Sequence, residues 1–387
     1  MRRLRPDIHA LSRALFTRPE LSLQETAAAA RLVRFLRAEG FAVRRGTAGL
    51  GTAFVARKRG RPGGPRVALL AEYDALPEIG HACGHNLIGP AAAGAGAAIG
   101  RIIRDLRGEV LVIGTPAEET IGGKAVMVDR GAFRGIDAAL MFHPASENRV
   151  YTTSLACHSL EVVFKGRAAH AVAAPERGIN ALDALLELFS GLERLKRRLP
   201  GNVRMPGVIV EGGRRANIVP DRAVGRFTLR AGNLEALRRV ERGFRARVRD
   251  AARITGARAS VRSLDHPYAE MVTNRALADV FKKELARQGR RTVDTPRKSM
   301  GSLDMGNVSH TVPSIHPYIA IAPRRVPLHS RGFARAAGGA GGRAGLDVAT
   351  RSLALTAFEI FVSDGLIDRA RREFRAATGR RRRVLSR

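Results

Sequence analysis

The stretch Leu70-Ala71-Glu72-Tyr73-Asp74-Ala75-Leu76-Pro77-Glu78-Ile79-Gly80-His81-Ala82-Cys83-Gly84-His85-Asn86 decides how this chain is read. The apolar run at 67–71 has the composition of a buried strand and ends in acidic residues. A Pro/Gly turn follows, then one Cys and two His within five positions. Strand ends with convergent Asp, Cys and His are where α/β proteins place chemistry. A lone His or Cys here would ordinarily be a satisfied core residue. Cys83 and His85 together, one Gly apart and downstream of Asp74, point instead to a metal site.

At 387 residues the chain has room for two domains, each with its own core. A hydrophobic share of 45% and a mean hydropathy of -0.13 describe a soluble globular protein. The longest apolar stretch, 87–99, is Gly/Ala-rich and too short to span a bilayer. No apolar segment with a cleavage site follows the basic N-terminus. Two cysteines, Cys83 and Cys157, are too few for a disulfide framework and fit a reducing compartment, so a cytoplasmic location away from membranes is expected. The net charge of +32 raises nucleic-acid binding as a rival function. The basic residues are dispersed, with one dense cluster at 380–383, and no aromatic residues interleave with basic runs as a stacking platform. The charge is read instead as a field favouring small anionic substrates.

Outward from the opening stretch, Ser22-Leu23-Gln24-Glu25 has the form of a capping box for an amphipathic helix ending at Gly40. Short strands are expected at 41–43 and 51–57, a buried helix at 87–106, and a strand at 109–114 that ends in Thr115-Pro116-Ala117-Glu118-Glu119. A helix at 125–131 and a strand at 137–142, ending in His143-Pro144, complete an α/β layer. The rhythm then changes. Strand 160–165, helix 180–199, strands 207–211 and 223–231, helix 234–255 and strand 259–262 form the β-α-β-β-α-β order of a ferredoxin-like unit. The expected architecture is therefore two-domain α/β: a discontinuous domain with a central mixed sheet (1–157 and 267–387) and an inserted ferredoxin-like α+β domain (158–266). Helix 274–288, a strand at 315–321 and a terminal helix from Ala349 belong to the first domain; 338–345 reads as a flexible loop and 379–387 as a solvated tail.

Four places supply metal-competent side chains at turns: Cys83 with His85, Glu118 with Glu119, His143 and His329. One thiolate, three imidazoles and carboxylates suit a catalytic Zn, Mn or Co site rather than a structural Zn site built on Cys pairs. Adjacent glutamates in an extended segment point apart, so one can ligate while the other acts as general base. Asp74 is placed to orient a ligand. His310 and His316 suit packing or surface roles, with His316 the fallback should His329 not reach the site.

The blocks Glu72-Tyr73-Asp74-Ala75-Leu76-Pro77, His81-Ala82-Cys83-Gly84-His85-Asn86, Gly114-Thr115-Pro116-Ala117-Glu118-Glu119, Gly166-Arg167-Ala168-Ala169-His170, Asn217-Ile218-Val219-Pro220-Asp221 and Gly301-Ser302-Leu303-Asp304-Met305-Gly306-Asn307-Val308-Ser309 resemble, in order, the M-twenty (M20) metallopeptidase family of amidohydrolases. Asn86 and the 301–309 block are similar to the branch holding p-aminobenzoyl-glutamate hydrolases and β-alanyl-lysine-type dipeptidases. The resemblance implies two divalent ions (Zn, Mn or Co) bridged by Cys83, with His85 and Glu119 on one side, His143 and His329 on the other, and Glu118 as base. It implies that the inserted domain covers the site as a lid and forms a homodimer, with His170 stabilising the oxyanion in the partner's site, and that Asn217 and Arg230 hold the substrate carboxylate. The implied reaction is cleavage of the amide bond of an N-acyl or N-aroyl amino acid or a dipeptide. The rival within the same fold is a non-catalytic, subunit-type binding protein, against which the complete ligand set argues. The Arg-rich, Gly/Ala-rich surroundings of His329 depart from the family pattern, and Asn217 has the alternative of a plain turn residue before Pro220.

Overall fold

In the computed structural model, residues 2–293 and 301–385 are described; residues 386–387 of the expected tail lie outside them. The chain divides into two compact units: 2–153, 271–293 and 304–385 form one, and 154–270 with 301–303 form the other. Among the described residues no helix is long and apolar enough to cross a membrane.

The first unit opens with α1 (Arg5–Thr17), α2 (Thr26–Ala38), β1 (Ala42–Arg45), β2 (Phe54–Arg59), β3 (Arg61–Ala71), α3 (His85–Gly100), β4 (Arg107–Gly114), α4 (Gly123–Asp129), β5 (Ala138–Leu140) and β6 (His143–Ala145). The second contains β7 (Ala156–Lys165), α5 (Ala181–Lys196), β8 (Gly207–Glu211), β9 (Arg222–Ala231), α6 (Leu234–Thr255) and β10 (Arg258–Ser263). The first then resumes with α7 (Arg275–Arg287), α8 (Met305–Ser309), β11 (Ser314–Ile315), β12 (Tyr318–Ala320), α9 (Arg331–Gly338), α10 (Ala340–Val362) and α11 (Leu366–Leu385).

The large sheet runs β1-β2-β4-β3-β5-β11. It is mixed: β3 lies parallel to β4 and β5, and β5 to β11, whereas β1 and β2 pair antiparallel. Val67, Ala68, Leu69 and Leu70 are wholly buried, as the apolar run predicts for a central strand. Helix α3 is buried along nearly its whole length. Its glycines cost helix propensity, about 1 kcal/mol each, but permit close packing: a Cβ at Gly96 would collide with Val112 of β4, and one at Gly89 would lie 2.8 Å from the Glu72 carbonyl oxygen.

The second unit is an antiparallel sheet of order β10-β7-β9-β8 packed against α5 and α6, the ferredoxin-like arrangement. Leu237, Val240, Phe244, Val248 and Ala251 form the buried stripe of α6. Phe227 of β9 joins this core, with its ring centroid 5.2 Å from that of Phe244.

Several sequence expectations fail for identifiable reasons. Ser22 and Glu25 do not form a capping box. The Ser22 hydroxyl donates to Asp74 at 2.9 Å, Glu25 is buried, and Glu20 accepts from the first amides of α2, Ala27 and Ala28, at 3.1 and 2.8 Å. The sequence pattern does not predict α1, because its charged and small residues mask its buried positions Ile8, Ser12 and Leu15. The glycine-rich 338–345 segment is no flexible loop but the end of α9 and the first turns of α10, which therefore starts at Ala340 rather than Ala349. Gly341 and Gly345 let α10 lie against Ile321, with which any Cβ would collide. The backbone of the expected tail continues α11 to Leu385, in keeping with the helix propensity of Arg. The expected helix 87–106 begins earlier, at His85, and ends at Gly100. The strands expected at 137–142 and 315–321 each leave the main sheet partway, so that β6 and β12 pair in a separate parallel ribbon carrying His143.

Gly84, between Cys83 and His85, sits at φ +83°, and a Cβ there would lie 2.8 Å from Pro144 Cγ. Gly84→Ala is expected to destabilise the metal-free protein by about 2–4 kcal/mol, combining the left-handed penalty with overpacking. Denaturant unfolding of the variant checks this, and a loss under about 1 kcal/mol would contradict the packing described.

Candidate metal centre

Just past the end of β3, Glu72 and Asp74 both reach His85, at 3.5 and 3.0 Å. Asp74 is buried and ties three segments together. Its Oδ1 accepts from His85 Nδ1 at 3.0 Å, and its Oδ2 accepts from the Ser22 hydroxyl at 2.9 Å and the Glu119 amide at 3.0 Å. Burial pushes the Asp74 carboxyl up, but charged His85, its hydrogen bond and the other two donors outweigh this and hold it at about 2. With Nδ1 donating to Asp74, His85 is left with Nε2 as its metal-facing atom.

Beyond β4 the chain bends at Ala117, a non-glycine residue at φ +60°. The Ala117 amide donates to Glu25 Oε1 at 2.9 Å, and Thr52 donates to the other Glu25 oxygen at 2.9 Å, so a buried carboxylate braces the bend. This bend delivers Glu118 and Glu119. On β6, His143 donates from Nδ1 to the Pro144 carbonyl at 2.7 Å, and its Nε2 lies 3.3 Å from Cys83 Sγ. His329 arrives from a turn at φ +57°, fixed by its amide donating to the Ala82 carbonyl at 3.1 Å. Its Nε2 lies 3.8 Å from Glu119 Oε1, and its side chain remains 54% exposed.

Among the described residues, three overlapping groups have candidate ligand atoms mutually within 4.8 Å: Cys83, His85 and His143; Cys83, Glu119 and His329; and His85, Glu118 and Glu119. Cys83 appears in two of these, once with His85 and His143 and once with Glu119 and His329, so the groups cut across the expected division of His85 and Glu119 from His143 and His329. Two of the atoms, His85 Nε2 and Glu119 Oε1, are buried and lack any hydrogen-bond partner. Orphaned buried polar atoms are costly and ask for an occupant. The thiolate, imidazole and carboxylate donors suit a borderline divalent ion, so the residues fit the expected metals.

The electrostatics agree. Burial pushes the Cys83 thiol well up, and burial with Asp304, Glu72 and Glu119 does the same to Glu118. Burial, with His316 and His85, drives His143 well below the usual histidine range. At these three residues the pocket favours the neutral form until divalent charge enters it, which reverses the preference.

Sequence reading misses a buried trio: Glu72, Lys124 and Asp304. The Lys124 ammonium contacts Glu72 Oε1 and lies 2.6 Å from Asp304 Oδ1. Burial works to lower Lys124, but Asp304 and Glu72 more than offset this and hold it charged. The period-two spacing from Asp74 could have flagged Glu72, whereas Lys124 in Gly123-Lys124-Ala125-Val126 carries no local signal. His316 is not in any of the ligand groups; it packs with its ring 5.5 Å from that of His143. His81 also stays outside them, its ring bonded to the Leu15 carbonyl and the Asn86 amide.

The remaining sequence candidates lie in the second unit. His170 is exposed, with Nδ1 accepting from the Val172 and Ala173 amides at 3.3 and 3.1 Å. Asn217, also exposed, lies beside it, its carbonyl accepting from the Ala171 amide at 3.0 Å. Arg230 on β9 donates to the Ser302 hydroxyl at 3.3 Å.

The family described as a peptidase dimerisation domain matches residues 157–255. The chain is 35% identical to a Mus musculus Xaa-Arg dipeptidase over 95% of this chain and 88% of that one. It is 31% identical to one of the p-aminobenzoyl-glutamate hydrolase subunits of Escherichia coli, over 71% and 61% of the two chains. A Bacillus subtilis structure described as a dinuclear metal binding peptidase superposes with a TM-score of 0.70 at 22% identity, covering 93% and 99%. An aminobenzoyl-glutamate utilization protein from Klebsiella pneumoniae does so with 0.71 at 20%, covering 94% and 98%. The chain belongs to the M20 family of metal-dependent peptidases and amidohydrolases.

Asp74→Asn is expected to weaken divalent-ion binding by about 10–100-fold, measured by chelator competition, because the candidate ligand His85 loses its orienting carboxylate. Lys124→Met leaves two buried carboxylates without their cation, so the metal-free protein should lose about 3–5 kcal/mol in denaturant unfolding.

Proposed function

We propose that this chain is a metal-dependent amidohydrolase that cleaves a dipeptide, or an N-acyl or N-aroyl amino acid, with a free carboxylate. The observation that carries this reading is the convergence of Cys83, His85, His143, Glu118, Glu119 and His329, with ligand atoms in overlapping groups within 4.8 Å. Cys83, His85 and Glu119 would hold one ion, and Cys83, His143 and His329 the other. When bound, the ions would supply Lewis acidity to the scissile carbonyl and lower the pKa of the attacking water.

The protein's own groups do the rest. Glu118, in the buried pocket, takes the proton from the attacking water and passes it to the leaving nitrogen. Asp74 keeps His85 in one tautomer. Arg230 and Asn217 grip the substrate carboxylate, and His170 from a partner subunit stabilises the developing oxyanion.

A homodimer is supported by the match to a dimerisation domain and by β8, the end strand of its sheet, which exposes Val208, Ile209 and Val210. Two free, buried cysteines support a cytoplasmic location. Dipeptides come first among the substrates because the mouse relative, matched over 95% of this chain, is described as a dipeptidase.

A panel of Xaa-Arg and Xaa-Lys dipeptides, p-aminobenzoyl-glutamate and N-acetyl amino acids, assayed with Zn, Mn and Co, tests the reading; no turnover in a metal-loaded dimer would overturn it. Glu118→Ala should lose at least about 100-fold in kcat while metal content by elemental analysis stays at the wild-type level. His170→Ala should be inactive as a homodimer yet regain activity when its subunits are exchanged with those of Glu118→Ala. Absence of rescue would rule out sharing between subunits.

A further inference from the structure

Glu72, Lys124 and Asp304 take no part in the reaction proposed above, yet all three are buried. Their hydrogen bonding is lopsided. Asp304 has both oxygens engaged: Oδ1 with the Lys124 ammonium at 2.6 Å and Oδ2 with the Lys124 amide at 2.8 Å. Glu72 has one, Oε1, held by the same ammonium. Its other oxygen, Oε2, is buried without a hydrogen-bond partner and lies 3.5 Å from His85 Nε2.

Two carboxylates on one ammonium leave one negative charge unbalanced in a dry interior, where such a charge is strongly disfavoured unless something compensates it. An ion pair of purely structural purpose accounts for Oε1 and leaves Oε2 unexplained. The His85 ring does not satisfy it either. Its Nδ1 is committed to Asp74, and 3.5 Å is too long for a strong charge-assisted bond to Nε2. Glu119 Oε1, 3.9 Å from the same Nε2, is likewise unpartnered. Glu72 is in none of the three ligand groups, but its orphaned Oε2 and the orphaned Oε1 of Glu119 lie 3.5 and 3.9 Å from the orphaned His85 Nε2.

We propose that Glu72 is a further anionic partner of the ion held by His85 and Glu119, and that Lys124 and Asp304 are positioning residues that pin its Oε1 and so present Oε2 to that ion. This inference rests on the two-ion reading of the site. Lys124 has two effects in this arrangement: it makes a second carboxylate tolerable beside Asp304, and it prevents the Glu72 carboxylate from rotating away. The arrangement also adds negative charge to a site whose other ligands, beyond Cys83 and Glu119, are neutral imidazoles.

The test uses the full-length protein stripped by chelator and refilled with Co or Zn. Glu72→Gln keeps the side-chain shape and can still accept from Lys124, which retains Asp304 as counter-ion. One of the two ions should bind at least about tenfold more weakly in calorimetry or chelator competition, and the visible absorption of the Co form should change. Glu72→Asp should recover part of the affinity. In the metal-free state Glu72→Gln should unfold no earlier than wild type, because an unbalanced charge has been removed. Unchanged affinity for both ions overturns the proposal, as does a metal-free variant that is destabilised or fails to fold, since either assigns Glu72 a structural role. Wild-type protein that binds no ion would overturn the two-ion reading itself, so the two failures are told apart.

Discussion

The hydrogen bond between His85 and Asp74 is the constraint on which the rest of this structure depends. It joins the end of the central strand β3 to the first residue of α3. The same carboxylate binds the Glu119 amide beyond β4 and the Ser22 hydroxyl before α2, so one buried anion fixes three loops relative to the sheet. Burying that charge is tolerable because both of its oxygens are engaged and a cation faces it. The helix, in turn, can begin at His85 only because Gly84 adopts a left-handed turn that a side chain would block.

Around this anchor the fold concentrates charge where a protein interior normally excludes it. Glu25, Glu72, Asp74, Lys124 and Asp304 are all buried in the first unit. The compensation is layered. Glu25 is satisfied by the Thr52 hydroxyl and the Ala117 amide, Asp304 by Lys124, and Asp74 by His85. At Glu72, His85 and Glu119 the uncompensated atoms converge on the candidate metal centre. A polar network left unfinished at that point is the signature of a site built to receive a cation.

The second unit follows different rules. Its core is aromatic and aliphatic, its sheet wholly antiparallel, and its end strand β8 presents apolar side chains outward. Arginines lie on its helix faces, several in short-range pairs with glutamate such as Arg245 with Glu241. Exposed pairs of this kind contribute little to stability.

Strong periodicity and short chemical motifs made part of this protein legible from its residues alone. The β-α-β-β-α-β order of the second unit follows from alternating and helical patterns that each span a whole element, and the strands and helices expected there lie within a few residues of the observed ones. Cys83, His85, Glu118, Glu119, His143 and His329 stood out as candidates because each sits at a strand end or turn. Local pattern could not encode what depends on partners distant in sequence. Gly341 and Gly345 are helical where close approach to Ile321 leaves no room for a side chain, and Glu25 braces Ala117 instead of capping α2. Lys124 is the clearest case: nothing adjacent to it signals burial, and only the fold, by bringing Glu72 and Asp304 to its ammonium, makes a charged side chain there more stable than an apolar one.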